Sequence, residues 1–326
     1  MAKIFITRKI PESGVKLLKK KHTVKIYGKD QAIPKNDLLA GVKWCDALLP
    51  LLTDKVDGSV MDANPNLKVI ANYAVGFNNI DVKAATERGI PVTNTPGVLT
   101  DAVADHAAAL LLGIARRIPE SDRFTRAGKY KVWSPMLLLG PELRGKTLGI
   151  LGSGRIGSAF AERMYKGFGM NIMYYDVKRN PAVEKKFKAK YGSIAQVLKT
   201  ADFVSIHVPL LPSTHHLIGA KELKSMKKTS YLINTSRGPV IDEKALVSAL
   251  KSKTIAGAAL DVFENEPKLA SGLSKLENVI LTPHTASATE QARGAMSEIA
   301  ANNILAVLSG KKPITLVNPD YTKAKK

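Results

Sequence analysis

Short apolar runs alternate with amphipathic segments along almost the whole chain. In its first part, the runs at 3–7, 24–27, 47–52, 69–74 and 91–93 have the length and the branched side chains of buried strands. The segments between them repeat apolar residues at helical spacing. Strands that alternate with helices in this way form parallel sheets, so the pattern predicts an α/β protein.

The series is interrupted near Thr95-Pro96-Gly97, where we expect the chain to pass into a second domain. A long, largely apolar helix is predicted over 101–117, and a second strand–helix series runs from 146 to about 285. A final helix is predicted at 289–309. Because 326 residues exceed what a single hydrophobic core usually serves, the break supports two domains.

Composition and charge exclude several classes of protein. A single cysteine, Cys45, allows no internal disulfide and no structural zinc site, so a cytoplasmic location is expected. The apolar runs are too short to cross a bilayer, and no membrane role is predicted. The formal net charge is +21, yet the lysines are dispersed over helical stretches and no nucleic-acid module is found. We therefore expect solvated helix faces, no nucleic-acid partner, and a positive field that attracts small anions.

A glycine-rich turn in the second series predicts a dinucleotide site. The apolar strand at 146–151 runs into Gly152-Ser153-Gly154-Arg155-Ile156-Gly157, and a helix is predicted at 158–167. The first glycine permits the tight turn, the second lets a pyrophosphate approach the backbone, and the third lets the helix pack against the strand. Such a turn can also serve packing alone, but its position between a strand and a helix favours a cofactor.

The next strand, at 171–175, ends at Asp176, about twenty residues beyond the glycines. A carboxylate there would accept hydrogen bonds from the adenosine ribose and repel a 2′-phosphate, so NAD(H) is favoured. Lys178 and Arg179 follow closely and are near enough to contact a 2′-phosphate, which leaves NADP(H) open.

His284 is the leading acid–base candidate among the six histidines. It follows the apolar strand at 279–281, and open α/β sheets place their sites at the carboxyl ends of the strands. An imidazole also exchanges a proton near neutral pH. His207 lies at the end of the predicted strand at 203–208, where an approach to the cofactor and a structural hydrogen bond are equally expected. Surface or packing roles are expected for His22, His106, His215 and His216.

A histidine that cycles a proton works best beside a carboxylate, which stabilises the imidazolium. Three carboxylates follow the predicted strand at 255–260 and are candidates for that partner: Asp261, Glu264 and Glu266. Arg237 follows the strand at 231–234, and its planar fork suits the carboxylate and carbonyl oxygens of a 2-oxo acid. The residues predict chemistry on a small anionic acid, and no metal site is predicted.

Six segments, in order, resemble signatures of the D-isomer-specific 2-hydroxyacid dehydrogenase family. They are 72–81, 94–100, 152–157, 234–238, 261–267 and 282–284. The resemblance covers nearly the whole chain. It implies two Rossmann-like or flavodoxin-like domains with parallel sheets and an active site in the interdomain cleft. The substrate domain would be discontinuous, 1–98 plus 288–326, and the dinucleotide-binding Rossmann domain would be 99–287.

The resemblance also implies roles for individual residues. Arg237 would orient the substrate, and Glu266 would pair with His284, which transfers the proton. Substrate contacts would also come from Leu52 and from the backbone amides of Val75 and Gly76. The cofactor contacts would be Thr100, Gly152, Gly154, Arg155, Ile156, Gly157, Asp176, Pro209, Thr214, Thr235, Asp261 and Ala286, where Ala286 replaces the glycine of most relatives.

Within the family, the segments 74–77, 133–135 and 315–318 look most like those of glyoxylate/hydroxypyruvate reductases. The resemblance implies NAD(P)H-dependent reduction of glyoxylate or hydroxypyruvate to the D-2-hydroxy acid. In those relatives the stretch around Trp133 reaches toward the partner subunit, which implies a homodimer; packing of Trp133 within its own subunit is the alternative. Phosphoglycerate dehydrogenase-like or D-lactate dehydrogenase activity stays open, as does a non-enzymatic, corepressor-like protein that senses NAD(H).

Overall fold

The computed structural model describes residues 1–325, and Lys326 lies outside the description. The strands are β1 (Lys3–Ile6), β2 (Thr23–Ile26), β3 (Ala47–Leu49), β4 (Val69–Ala71), β5 (Val92–Thr93), β6 (Thr147–Leu151), β7 (Asn171–Tyr175), β8 (Lys190–Tyr191), β9 (Phe203–Ile206), β10 (Tyr231–Asn234), β11 (Gly257–Leu260) and β12 (Val279–Leu281). They belong to two sheets, and every strand pairing within them is parallel.

The helices connect these strands and cover the faces of the sheets. They are α1 (Glu12–Lys19), α2 (Lys35–Trp44), α3 (Gly58–Asp62), α4 (Val82–Glu87), α5 (Thr100–Ala115), α6 (Ile118–Arg126), α7 (Arg155–Phe168), α8 (Pro181–Phe187), α9 (Ile194–Thr200), α10 (Ala220–Ser225), α11 (Glu243–Lys251) and α12 (Glu290–Leu308). Short 3-10 helices span Gly238–Val240, Leu273–Lys275 and Pro319–Lys325. The predicted α/β class is confirmed.

The chain divides into two compact units, Met1–Leu99 with Ala288–Lys326, and Thr100–Ser287. The first unit holds a five-stranded sheet in the order β2-β1-β3-β4-β5, the order of flavodoxin-like folds. Its central strands are buried on both faces, which explains their continuous apolar sequences.

Helix α12 packs against α1 within the first unit. The contact is close, because a methyl group on Gly14 would lie 2.1 Å from the carbonyl oxygen of Ser297. The hydroxyl of Ser297 also donates a hydrogen bond to the carbonyl of Pro11. Helix α12 therefore completes the unit to which the first residues belong.

The second unit holds a seven-stranded sheet in the order β12-β11-β10-β9-β6-β7-β8. The strand order reverses between β6 and β9, and doubly wound sheets bind ligands at the carboxyl ends of strands around such a switch point. Apolar cores lie on both faces of this sheet. One core includes Leu111, Phe160 and Tyr174, and the other includes Val204 and Leu246.

Several strands end earlier than their apolar sequences predict. The runs at 47–52, 69–74 and 203–208 were expected to be strands throughout, whereas β3, β4 and β9 end at Leu49, Ala71 and Ile206. The remaining apolar residues are packed in the loops that leave the carboxyl ends of these strands. The apolar pattern of the sequence indicates which residues are buried, and buried residues continue beyond the last residue that pairs with a neighbouring strand.

Candidate active site

The glycine turn between β6 and α7 has one glycine that packing does not require. Gly152 adopts a φ of +98°, and a methyl group on it would lie 2.8 Å from the backbone of His207. A methyl group on Gly157 would lie 2.0 Å from the carbonyl oxygen of Gly152. A methyl group on Gly154, in contrast, would meet nothing within 4 Å. The space beside Gly154 therefore fits a ligand that approaches the backbone.

Helix α7 begins at Arg155, three residues before the predicted start, with Ile156 in its first turn. Gly154 precedes it and offers no side chain to cap the helix, so the amide groups of its first turn point at the turn without an intrahelical partner. Such an end favours an anionic group. The turn and the helix thus fit the pyrophosphate of a dinucleotide.

Asp176 stands beside this turn. Its Oδ2 accepts hydrogen bonds from the amide of Ser153 at 2.7 Å and from the hydroxyl of Ser153 at 3.1 Å. These contacts hold the carboxylate at the end of β7, where it suits the ribose of a bound dinucleotide. Arg179, which was considered for a 2′-phosphate, forms an ion pair with Glu184 at 2.7 Å.

Three other predicted cofactor residues, Pro209, Thr214 and Thr235, lie in loops that follow strands β9 and β10 of the same sheet. The hydroxyl of Thr235 is buried and has no hydrogen-bond partner within residues 1–325, which is unusual for a buried polar atom and fits a ligand contact. Thr214 donates to the carbonyl of Pro209 at 2.6 Å and so closes the loop that follows β9. Thr100 begins α5. Their contacts with a cofactor stay predictions.

The candidate acid–base pair is formed by His284 and Glu266. His284 Nδ1 lies 2.9 Å from Glu266 Oε2, and the other carboxylate oxygen accepts a hydrogen bond from the amide of Phe263 at 3.0 Å. Burial, the largest single effect, raises the pKa of Glu266, but the hydrogen bond and charge of His284, the amide of Phe263 and the charge of Arg237 together outweigh it and keep that pKa below its ordinary value. Glu266 therefore stays ionised and can stabilise a protonated imidazole.

Asp261, another of the three carboxylates considered for this partner, instead organises the segment that carries His284. It is fully buried and accepts hydrogen bonds from the hydroxyl of Thr282 at 2.6 Å and from the amides of Thr285 and Ala286, both at 2.8 Å. Its predicted contact with the cofactor stays a prediction. Because both carboxylate oxygens of Asp261 accept hydrogen bonds from residues 282–286, the side chain holds that segment in place.

Glu264, the third carboxylate, faces a different histidine. Its Oε1 lies 2.8 Å from Nε2 of His216, which was expected to have only a surface or packing role. His106, also expected to pack only, lies 3.1 Å from the hydroxyl of Thr282. The contact between His106 and Thr282 could not be predicted from the sequence, because only the fold brings α5 beside the loop that follows β12.

Arg237 follows β10, and its position is set by its own turn. The side chain of Asn234 donates to the carbonyl of Arg237 at 2.9 Å, and Arg237 Nη1 donates to the carbonyl of Ser236 at 2.7 Å. Burial lowers the pKa of Arg237, and the charge of Glu266 opposes that shift. Arg237, Glu266 and His284 thus follow β10, β11 and β12, which are adjacent strands of one sheet.

The predicted substrate residues Leu52, Val75 and Gly76 belong to the first unit. The carbonyl of Val75 accepts from the side chain of Asn94 at 2.8 Å, and that of Gly76 accepts from Asn72 at 2.9 Å. These bonds fix the turn after β4 through its carbonyl groups. Within residues 1–325, the amides of Val75 and Gly76 have no acceptor, so they are free to bind a carboxylate. Their part in substrate binding stays a prediction.

Comparison with known proteins identifies the family. The sequence profile of the D-isomer specific 2-hydroxyacid dehydrogenase NAD-binding domain matches residues 108–286. The chain belongs to the D-isomer-specific 2-hydroxyacid dehydrogenase family. This confirms the predicted family and the predicted enzyme class, an NAD(P)-dependent oxidoreductase.

Relatives match the chain from end to end. It is 53% identical to the glyoxylate reductase of Thermococcus litoralis over 322 residues, 98% of this chain and 97% of that protein. A crystal structure from Thermus thermophilus is similar with a TM-score of 0.91 and 42% identity, covering 97% of this chain and 99% of that one. The NADPH-dependent glyoxylate/hydroxypyruvate reductase of Sinorhizobium meliloti is similar with a TM-score of 0.85 and 34% identity, covering 98% and 99%.

No helix within residues 1–325 has the length and apolar character needed to cross a membrane. In the same range, no group of three or more His, Cys, Asp or Glu side chains is placed to hold a metal ion.

Proposed function

We propose that this enzyme reduces glyoxylate or hydroxypyruvate to the D-2-hydroxy acid, with His284 as the proton donor. The observation that carries the proposal is the 2.9 Å contact between His284 and Glu266 in the loops that also bring Arg237 to the same sheet edge. The glyoxylate reductase of Thermococcus litoralis, 53% identical over nearly its whole length, supports the substrate class. A protein that only senses NAD(H) has no need of such an acid–base pair.

The reduced nicotinamide, when bound, supplies a hydride to C2 of the 2-oxo acid. The carbonyl oxygen then gains negative charge, and protonated His284 donates a proton to it. Glu266 stabilises the protonated imidazole through the bond to Nδ1, which leaves Nε2 to face the substrate. Arg237 binds the substrate through its guanidinium group and stabilises the charge on the oxygen.

We propose NAD(H) as the preferred cofactor. Asp176 supports this choice, since its carboxylate is held at the end of β7 and would repel a 2′-phosphate. Arg179 is already paired with Glu184, so it offers a weaker site for such a phosphate than an unpaired arginine would. Because the similar enzyme of Sinorhizobium meliloti is NADPH-dependent, the test includes NADPH as well as NADH.

We also propose that the enzyme is a homodimer and that it is cytoplasmic. The segment 130–139, between α6 and β6, exposes a set of large apolar side chains to solvent: Tyr130, Val132, Trp133, Met136 and Leu139. Trp133 is 72% exposed, so it is not packed within its own subunit. An apolar patch of this kind is typical of a surface that another chain covers. The buried, unpaired Cys45 suits a reducing compartment.

The test measures NADH and NADPH oxidation with glyoxylate, hydroxypyruvate, pyruvate and phosphohydroxypyruvate in parallel. We expect the highest kcat/KM with NADH and with glyoxylate or hydroxypyruvate. His284→Ala should lower kcat by roughly 100-fold or more, because general acid catalysis contributes that much, and leave NADH binding unchanged. Phosphohydroxypyruvate or pyruvate as the best substrate would overturn the substrate assignment, and full activity of the variant would overturn the role of His284.

A further inference from the structure

Outside the catalytic set, a buried acid stands at the start of α11. Glu243 is 2% exposed, and its Oε2 makes no hydrogen bond of ordinary geometry within residues 1–325, although the backbone of Ala270 is close enough to lower the pKa of the carboxyl group. Burial raises the pKa of Glu243, and the negative charges of Glu264 and Glu266 raise it further. Burying a carboxyl group without a good hydrogen bond to each oxygen costs stability. The contacts that Glu243 does make therefore need an explanation other than the formation of helix α11.

Glu243 and Glu264 exchange hydrogen bonds between helix α11 and the loop that follows β11. The amide of Glu264 donates to Oε1 of Glu243 at 2.7 Å, and the amide of Glu243 donates to Oε2 of Glu264 at 3.2 Å. His216 adds a third attachment. Its Nε2 lies 2.8 Å from Oε1 of Glu264, and its amide donates to the carbonyl of Pro239 at 2.8 Å.

This set of contacts lies between the two loops that carry Arg237 and Glu266. Glu266 is two residues beyond Glu264, and its carboxylate accepts from the amide of Phe263. Gly238, next to Arg237, packs directly on the backbone of the other loop, because a methyl group there would lie 1.9 Å from Phe263 and 2.4 Å from the amide of Glu264. A shift of Glu264 would therefore move both catalytic loops.

The start of α11 is already stabilised without Glu243. Asp242 caps the helix and accepts a hydrogen bond from the amide of Ala245 at 3.0 Å. The side chain of Glu243 instead turns to the amide of Glu264 on the neighbouring loop. A carboxylate that served only the helix would lie near the free amides of its own first turn.

We propose that Glu243, acting through Glu264 and His216, is a positioning residue that sets the relative placement of Glu266 and Arg237. It acts as a hydrogen-bond acceptor for the loop and does not contact the substrate itself. The proposal rests on the proposed function and deepens it, because it names residues beyond the acid–base pair that the reaction depends on. Catalytic groups must be held to within a fraction of an ångström, so loss of this attachment should reduce turnover.

The experiment compares Glu243→Ala, Glu243→Gln and Val247→Ala in the full chain. Val247 is buried on the same helix, and its apolar side chain takes no part in the hydrogen bonds among Glu243, Glu264 and His216, so its truncation is a matched loss of packing. We expect Glu243→Ala to lower kcat with glyoxylate by about 10- to 100-fold, with the KM for NADH unchanged and a larger primary isotope effect with deuterated NADH. Glu243→Gln keeps the Oε1 acceptor and should stay within about threefold of the parent. Val247→Ala should lower Tm without changing kcat or the isotope effect.

A kcat of Glu243→Ala equal to that of Val247→Ala would overturn the proposal, and so would a Gln variant as slow as the Ala variant. If Glu243→Ala does not fold, Glu264→Ala serves instead; its side chain reaches solvent, and a kcat equal to that of the parent would overturn the proposal. Hydrogen exchange of the Glu264 amide gives a readout that needs no substrate. It should be slow in the parent and in Glu243→Gln and fast in Glu243→Ala, even if glyoxylate is not the substrate.

Discussion

At the scale of single residues, the backbone of His284 is as specialised as its side chain. Its φ is +55°, a left-handed conformation that non-glycine residues seldom adopt. The conformation is held because the amide of His284 donates to the carbonyl of Asp261 at 2.9 Å, while the Asp261 side chain binds the residues that follow. The apolar strand and the histidine could be predicted from the sequence, but this backbone geometry could not, since it depends on contacts with a neighbouring strand end.

The same limit applies to the carboxylates. Three acids within six residues all qualified as partners of His284, and spacing along the chain did not separate them. The structure separates them because each points to a different neighbour: Asp261 to the 282–286 segment, Glu264 to His216, and Glu266 to His284. The contact of Glu243 with the loop that follows β11 could not be predicted from the sequence, because an acidic residue in the first turn of a helix is common.

His207 predicts how stability responds to acid. Burial lowers the pKa of His207 from 6.5 to about 4. The unfolded chain therefore takes up a proton as the pH falls through 6.5, whereas the folded protein does so only near pH 4, so stability is full above pH 6.5 and is lost between 6.5 and 4. The expected loss of stability is on the order of 2 kcal/mol, less than the full pKa shift would give, because the side chain of His207 is only partly buried from solvent.

The measurement is chemical denaturation of the parent and of His207→Gln between about pH 7.5 and pH 4, a range that spans both pKa values. The glutamine amide can take the place of Nε2 beside the hydroxyl of Ser205, 2.9 Å away, without titrating. We expect the free energy of unfolding to fall more steeply with acid in the parent than in the variant. Parallel profiles would show that His207 is protonated equally in both states.

At the scale of elements, the three glycines of the turn are required for two different reasons, two for packing within the protein and one for the approach of a ligand. Gly152 and Gly157 have neighbours where a methyl group would go, and Gly154 has open space. The order of strand, turn and helix was predicted correctly, but the start of α7 was placed three residues late, at 158 instead of Arg155. The prediction assigned residues 155–157 to the glycine turn because they belong to the glycine motif, whereas they form the first turn of the helix.

This difference gives a paired prediction for the turn. Gly154→Ala should leave Tm unchanged, since its φ of −68° suits alanine and no protein atom lies within 4 Å, but should weaken NADH binding by about 10-fold or more. Gly157→Ala should lower Tm even without cofactor, because the methyl group would lie 2.0 Å from the carbonyl of Gly152. Thermal unfolding and fluorescence titration with NADH measure the two effects. Normal NADH affinity in Gly154→Ala would contradict the placement of the pyrophosphate.

At the scale of the whole molecule, the fold class, the parallel sheets and the family could be predicted because they follow from patterns repeated along the chain. The exposed apolar segment could not be derived from periodicity. It lies between α6 and β6 without helix or strand structure. The family resemblance implied that the stretch around Trp133 reaches toward a partner subunit, but its apolar composition alone is equally compatible with a place in the core. Only the structure shows that Val132, Trp133 and Met136 face solvent.

The exposed segment predicts the oligomeric state. We expect light scattering to give twice the mass of the 35.2 kDa chain. Replacing Trp133 and Met136 together by serine should produce a monomer, because it removes two large exposed apolar side chains from the segment. Replacing an exposed apolar residue elsewhere, as in Val177→Ser, should not change the mass. A monomeric parent, or a variant that remains dimeric, would exclude this segment as the interface.

The placement of α12 has a consequence for how the protein is made. A ribosome that has released residues 1–287 has delivered every part of the second unit, whereas the first unit still lacks the helix that packs against α1. Most multidomain chains mature from the amino terminus onward during synthesis. Here the first unit is divided along the chain, so α12 reaches α1 and β4 only after the whole second unit has been synthesised. The order of maturation is therefore reversed, and the nascent amino-terminal sheet stays uncovered where α12 will pack.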